Sequence, residues 1–284
     1  ALDFHCRGWP SACVDSCLTF TMQAHVLYMH WLLLFLIFVC NFQISESGAA
    51  AFRLLDNFAE DLDDGNMIEI GSDRGEGSTR WLAEFASRHG RDFFTVDFSA
   101  EGFQNAQRAC GACAFRGMGE EFLSEKYPKL AAGRGIAFAY LDNYDWMWSG
   151  EHPSSYTLDF PAMLPDAELS QYRLTMRKEY EREGLVLNNQ RSQEAHLRQA
   201  MLVYSMCSPR CLILFDDTFA IQGGRYSGKG GAAMAWLLQD DRFEVVQQHE
   251  PGTPSYEGFV LVRRLETGGA PTPTIPFPAG LDPA

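Results

Sequence analysis

Positive charge is scarce in this sequence. Its 284 residues carry 23 lysines and arginines against 37 aspartates and glutamates, a formal net charge of −14 at neutral pH. Such an acidic chain repels phosphate backbones, which excludes nucleic acid as an expected partner unless basic residues are concentrated locally. They are not. The densest group, Arg173, Arg177, Lys178 and Arg182, is interleaved with Glu179, Glu181 and Glu183. It reads as a solvated helix face with opposite charges three and four residues apart. A cysteine framework is also lacking, because eight cysteines in a chain of this length do not make a small disulfide-stapled domain. Cys110 and Cys113 have the CxxC spacing of a zinc half-site or redox pair, but no strong second half accompanies them. Cys211 opens an apolar strand and should face a core, so the thiols are read as reduced, small hydrophobes.

Long apolar runs are equally few. The one that stands out is residues 26–42, VLYMHWLLLFLIFVCNF, which as a helix nearly spans a hydrocarbon layer about 30 Å thick. The basic flank of a signal peptide is weak, since Arg7 is opposed by Asp3 and Asp15. A membrane anchor, a signal-type segment, an artefact of the chosen start and a hydrophobic cap on the domain all stay open. At the other end, residues 265–284 are rich in Pro, Gly and Thr without periodicity and are expected to be a flexible tail. Residues 1–47, 48–264 and 265–284 are therefore treated as three parts. The protein is expected in the cytoplasm, with membrane contact through residues 26–42 as an option.

What the chain does have, from residue 48 onward, is regular alternation. Residues 49–62 have helical spacing, and 67–71 (MIEIG) form a strand. A helix over about 78–89 leads to a strand at 92–98, and a helix over about 101–110 to a strand at 113–119. A helix at about 120–130 precedes a strand at 136–142. After a long interruption come a strand at 211–217, a helix at about 229–239, and strands at 243–249 and 256–264. Alternating β and α units predict a parallel sheet covered by helices on both faces. The last two strands, joined by EPGTPS, should instead form an antiparallel hairpin at one edge. Ligands of open α/β sheets bind beyond the carboxyl ends of the strands.

At the end of the first strand stands Glu69-Ile70-Gly71-Ser72-Asp73-Arg74-Gly75-Glu76-Gly77-Ser78-Thr79. The glycines permit a tight turn and close approach to a ligand, and Ser78 or Thr79 is placed to cap the next helix. The spacing differs from the GxGxxG of dinucleotide enzymes. The second strand ends at Asp97 and the third leads to Glu120. This combination resembles the class I S-adenosylmethionine-dependent methyltransferases. The resemblance covers roughly residues 50–264 and implies an α/β, Rossmann-like methyltransferase fold: a seven-stranded, mainly parallel sheet with a terminal antiparallel hairpin. It implies S-adenosylmethionine as cofactor, with Glu69, Gly71, Ser72, Asp73, Gly75, Gly77 and Ser78 around its methionine part. Asp97 would take the ribose hydroxyls, Glu120 would lie beside the adenine, and Asp142 is a further cofactor contact.

The fourth strand ends at Asp142 and the fifth at Asp216-Asp217. Carboxylates gathered on one rim raise one another's pKa unless a cation joins them, and an all-oxygen set suits Mg²⁺. The placement is similar to metal-dependent O-methyltransferases, with Asp-Asp at strand five as in macrolide and aminocoumarin sugar O-methyltransferases. Metal ligation and its alternative, ordinary capping or cofactor contacts, stand level on the sequence. The insertion at about 143–190, with Tyr144, Trp146, Trp148, His152 and Tyr156, suits either an acceptor pocket or the packing of a lid. His196 and Asp145 are candidate bases, although a buried, hydrogen-bonded helix histidine is the commoner role for the former. Residues 223–231, GGRYSGKGG, read as a mobile loop that closes over substrate. The expected activity is methyl transfer to a small-molecule acceptor, on a hydroxyl oxygen, with or without Mg²⁺. The alternative is a catalytically silent Rossmann-like binding module or a membrane-tethered interaction module.

Overall fold

The computed structural model describes residues 50–72, 77–147, 171–221, 223–249 and 258–265, all within one compact unit, Ala49–Ala284. The apolar run at 26–42, Asp73, Gly75, Trp148, His152, Tyr156 and the tail lie outside the described residues. Among the described residues, no helix is long and apolar enough to cross a membrane.

The chain enters through a short helix α1 (Ala50–Arg53) and a 3₁₀ turn, Leu54–Phe58, a tighter start than the continuous helix expected over 49–62. Strand β1 (Asn66–Ile70) leads to α2 (Ser78–Arg88), β2 (Phe93–Asp97) to α3 (Ala100–Cys110), and β3 (Ala114–Arg116) to a helical stretch, α4, running from Gly119 to Leu130. A π-helical segment, Phe122–Lys126, interrupts α4. Strand β4 (Ile136–Leu141) is followed by α5 (Gln171–Arg182), α6 (Asn189–Met206) and β5 (Cys207–Asp216). Then come β6 (Thr218–Ile221), β7 (Arg225–Gly228), α7 (Gly231–Leu237), β8 (Phe243–Gln248) and β9 (Phe259–Arg264).

Seven strands form one sheet in the order β3-β2-β1-β4-β5-β9-β8. The first five run parallel, and β9 inserts antiparallel between β5 and β8. This is the Rossmann-like methyltransferase fold, with its order reversing at β1. Strands buried on both faces need apolar side chains at successive positions, not alternate ones, and β1 and β4 are buried throughout. One face packs Ile68, Ile70, Val96, Ala139, Ile213, Phe215 and Val262 under α4, α6 and α7. The other packs Met67, Phe138, Tyr140, Leu212, Leu214 and Leu261 under α1 and α2. A third cluster joins Tyr144 and Met147 to Met176 and Tyr180 of α5. The charged helix predicted as a solvated face therefore also buries an apolar stripe.

Two local expectations are corrected. Residues 223–231 are not simply a loop. Strand β7 pairs antiparallel with β6 as a two-stranded hairpin, Thr218 opposite Gly228 and Ile221 opposite Arg225, turning through Gly223 and Gly224 at positive φ. Glycines at such a turn remove the Cβ penalty of left-handed backbone. The second correction concerns the thiols. Cys110 is paired with Cys113 and Cys207 with Cys211 as disulfides, because the turn after α3 and the start of β5 bring the Cα atoms to 5.7 and 5.5 Å.

Gly228 is the hinge of the hairpin's return. Its φ is +86°, and a Cβ there would lie 1.9 Å from the Asp217 carbonyl oxygen. Gly228→Ala combines left-handed strain with a backbone clash and is expected to cost roughly 2–4 kcal/mol. Thermal unfolding followed by circular dichroism checks this. An unchanged melting temperature would mean that the hairpin does not close as described.

Candidate functional site

The carboxyl ends of β1, β2, β4 and β5 converge because the two innermost strands touch there. Gly71 has φ +90°, and a Cβ on it would lie 2.5 Å from the Asn143 nitrogen and 2.6 Å from the Asp142 carbonyl carbon. The Asp142 N–H donates to the Ile70 carbonyl at 2.8 Å. Glycine at 71 is thus what lets the chain after β4 pass directly over the end of β1.

Below that crossing lies Glu69, fully buried on the α2 side of the sheet. Its carboxylate accepts hydrogen bonds from Ser78 Oγ (2.8 Å), Thr79 Oγ1 (2.6 Å) and Thr95 Oγ1 (2.7 Å). Burial pushes its pKa up to about 8, against the pull of these three hydroxyls. Two expectations change here. Ser78 and Thr79 do not cap α2, whose N-cap is Gly77 with φ 92° and no side-chain bond. Glu69 and Ser78 are directed at each other, so they tie the start of α2 to β1 rather than presenting free groups to a ligand.

Asp97 ends β2 as expected and is almost wholly enclosed. One carboxylate oxygen accepts from Ser72 N (2.9 Å) and Ser72 Oγ (3.0 Å), the other from Ser99 N and Ser99 Oγ (both 2.7 Å). Ser99 in turn caps α3 by accepting from Gly102 N at 2.9 Å. Gly102 is required, since a Cβ there would fall 2.4 Å from Asp97 Cγ. Across the crevice, the buried Glu120 carboxylate has the Gln199 amide as its polar neighbour, and Asn143 Oδ1 is buried with no hydrogen-bond partner among the described residues. Burial raises the Glu120 pKa. Buried polar atoms are nearly always paired, and each exception calls for an occupant such as water or a ligand. A cofactor offering both donors and acceptors suits this set. Asn143 and Gln199 were not singled out from the sequence as cofactor contacts. Gln199 had no motif around it, only its place one helical turn beyond His196.

The acidic rim forms as predicted, but around a side chain. Lys229, only 3% exposed, places Nζ 2.7 Å from Asp142 Oδ1, 3.0 Å from Asp217 Oδ2 and 3.7 Å from Asp216 Oδ2. The β6–β7 hairpin delivers it there. Its N–H donates to the Asp217 carbonyl at 3.0 Å, and Asp217 itself adopts φ +45°. Thr218 Oγ1 donates to the Asp216 carbonyl (2.8 Å) and accepts from Gly230 N (3.0 Å), closing the turn from both sides. Burial opposes the ammonium charge, and Asp142, Asp217 and Asp216 overcome it, holding the pKa well above the ordinary lysine range. Burial, reinforced by Asp142 and Asp217, pushes Asp216 well above the usual carboxylate range despite Lys229. Asp217 is also raised by burial. Among the described residues, no three acidic, histidine or cysteine side chains are arranged to hold a metal ion. With the ammonium in the middle, the set does not fit Mg²⁺. Reading GGRYSGKGG as a mobile loop leaves Lys229 without a role. Its signal was a lone lysine inside a glycine-rich return from the Asp-Asp pair.

Of the candidate bases, His196 is fully buried, with Nδ1 2.9 Å from the Ser192 carbonyl, to which it donates in its neutral form. Burial and the Lys229 charge lower its pKa to about 4. Asp145 stands nearer the surface, and Tyr180 OH donates to its Oδ2 at 3.0 Å. The aromatic start of the insertion packs as core. Tyr144, Trp146 and Met147 are buried, strapped to α6 by Asn189, which bonds both the N–H and the carbonyl of Met147 (2.7 and 3.1 Å), and by Ser192 to the Tyr144 carbonyl (2.9 Å).

No protein-family model matches the chain, and no curated protein matches it. Among solved structures, an O-methyltransferase from Bacillus cereus in complex with SAH is similar at 14% identity and a TM-score of 0.43, over 76% of this chain and 80% of that one. An O-methyltransferase from Streptomyces achromogenes involved in tomaymycin synthesis, in complex with SAM, is similar at 15% identity and 0.42, over 75% and 79%. A putative rRNA-methylase from Clostridium thermocellum is similar at 8% and 0.43, over 76% and 97%. At these identities and scores the function of this chain rests on its own residues.

Glu69 makes stability depend on pH. A carboxyl whose pKa rises from 4.5 unfolded to about 8 folded stabilises the fold fully below pH 4.5, and that contribution is lost as pH climbs through 8. Glu69→Gln removes the titrating group. Urea unfolding between pH 5 and 9 should therefore show the variant gaining on the wild type with rising pH. Parallel pH curves would contradict the assignment.

Proposed function

We propose that the chain is a class I S-adenosylmethionine-dependent methyltransferase acting on a hydroxyl oxygen of a small molecule. The observation that carries the proposal is the group of buried polar side chains Glu120, Asn143 and Gln199, with Asn143 Oδ1 unpartnered among the described residues, gathered at the carboxyl edge of a sheet with the order β3-β2-β1-β4-β5-β9-β8. That edge is where open α/β sheets take ligands. Gly71 and the turn after it would lie along the methionine part of the cofactor, Glu120 and Gln199 along the adenine. Asp97 would take the ribose hydroxyls as the hydroxyl hydrogens of Ser72 and Ser99 turn to other acceptors, since two of its four present donors are hydroxyls.

When bound, the cofactor supplies an electrophilic methyl group on a sulfonium. The work left to the chain is to hold the acceptor in line and receive one proton. Asp216 and Asp217, each about a quarter exposed on the rim, have carboxylates whose proton affinity is raised by burial, which favours them as proton acceptors over His196, whose pKa is about 4. Rim carboxylates and a net charge of −14 disfavour a nucleic-acid acceptor. One observation favours the silent binding module instead: all the lone-pair directions of Asp97 are already taken by protein donors.

Calorimetry with S-adenosylhomocysteine separates the two readings. The wild type should bind it in the micromolar range, and Glu120→Ala should weaken binding about tenfold, the loss of one buried charged hydrogen bond. Absence of wild-type binding at millimolar ligand would favour the silent module. With a radiolabelled methyl donor, label should pass to members of a panel of hydroxylated small molecules and not to RNA.

A further inference from the structure

The three carboxylates at the ends of β4 and β5 come with their cation built in. Lys229 Nζ lies within 3.0 Å of Asp142 and Asp217 and 3.7 Å from Asp216. Its position is fixed by backbone, not by a loose side chain alone. The hairpin register puts Gly228 opposite Thr218, the Lys229 N–H on the Asp217 carbonyl, and Gly230 against Thr218 Oγ1, where a Cβ would lie 2.5 Å away. A hard divalent ion takes oxygen ligands at about 2.0–2.6 Å. An ion held by these same carboxylate oxygens would occupy the space of the ammonium and face its full charge at contact distance.

We propose that Lys229 is the resident cation of this rim, standing in the place of a divalent metal, and that its ammonium holds the acceptor oxygen for reaction. An ammonium has three N–H donors and no acceptor. Asp142 Oδ1 and Asp217 Oδ2 engage two of them at 2.7 and 3.0 Å, and the third reaches only the Asp142 carbonyl oxygen at a long 3.4 Å, with Asp216 beyond reach at 3.7 Å, so an incoming hydroxyl or alkoxide oxygen has one weak contact to displace. The rim carboxylates then keep Lys229 charged, and Lys229 lowers the cost of developing negative charge on the acceptor. The second half of this proposal rests on the methyltransferase reading. The first half, that the cation position is filled by lysine, does not.

The test is Mn²⁺ binding, read by electron paramagnetic resonance on the full chain without cofactor. The wild type should bind no Mn²⁺ at the rim at millimolar concentration. Lys229→Ala, which leaves three carboxylates and a cavity, should gain a site at least tenfold tighter, and Lys229→Ala combined with Asp217→Asn should lose it again. Lys229→Met, which fills the space without charge, should gain none. Should the Ala variant unfold, added Mn²⁺ is expected to restore its folding transition, since binding to the native state alone stabilises it. A wild-type Mn²⁺ site abolished by Asp216→Asn or Asp217→Asn would overturn the proposal, as would a Lys229→Ala protein that neither binds nor is rescued by the metal. Methyl transfer, scored separately once an acceptor is found, should be indifferent to EDTA in the wild type and fall at least a hundredfold in Lys229→Met with unchanged S-adenosylhomocysteine affinity. Loss of that affinity in the wild type would count against the methyltransferase reading and leave the metal arm standing.

Discussion

Three carboxylates held at neighbouring strand ends repel one another unless a cation lies among them, and the second half of this chain is arranged to supply that cation. The hairpin of β6 and β7 reverses the chain immediately after Asp216 and Asp217, so that Lys229 returns to the point its strand partners left. The unusual backbone here follows from that geometry. Asp217 has positive φ without being glycine, and Gly228 sits where any side chain would collide with the Asp217 carbonyl. Such strain persists only where surrounding interactions over-determine it, and the buried ion cluster is that interaction. Removing one partner of a buried ion cluster is far costlier than never having built it.

The other half of the crevice follows a similar logic with neutral and anionic groups. Glu69 is held by three hydroxyls and Asp97 by two serines, so both acidic side chains near the glycine turn are already satisfied within the protein. Glu69 ties the start of α2 to β1 and β2, and Asp97 ties Ser72 and the start of α3 to β2. One layer further on lie the buried Glu120–Gln199 pair and Asn143, whose Oδ1 has no partner among the described residues. A glance at the motif would place ligand contacts on Glu69. The polar groups left open by the hydrogen-bond arrangement stand instead on α4, the chain after β4, and α6.

Much of the architecture was legible in the sequence. The apolar runs at 67–71, 92–98 and 136–142 required burial on both faces and therefore a parallel sheet, and each contains its strand to within a residue or two. The antiparallel pairing of the last two strands is present. Local pattern was less informative where glycine dominates. GGRYSGKGG has no periodicity, because its strand is only four residues long and passes from exposed to buried without alternating, and its pairing with β6 is recorded nowhere in its own composition. The cysteine pairing is hidden from the sequence for a related reason. Spacing gives the separation along the chain, whereas a disulfide depends on how the turn after α3 and the start of β5 bring two Cα atoms together.

The sequence by itself determined the sheet, the glycine turn and the gathering of Asp97, Asp142, Asp216 and Asp217 at one edge, because strand ends are set by where apolar runs stop and these residues stand at or just beyond those stops. Tertiary structure alone decided what each carboxylate faces. Glu69 meets Thr95 only because β1 and β2 pair in that register, and Asp142 meets Lys229 across 87 positions only because the hairpin folds back over β4. Charge in a sequence is a count, whereas the chemistry of a site depends on distances of three or four ångströms. Those distances are fixed by packing between segments that carry no information about one another until the chain has folded.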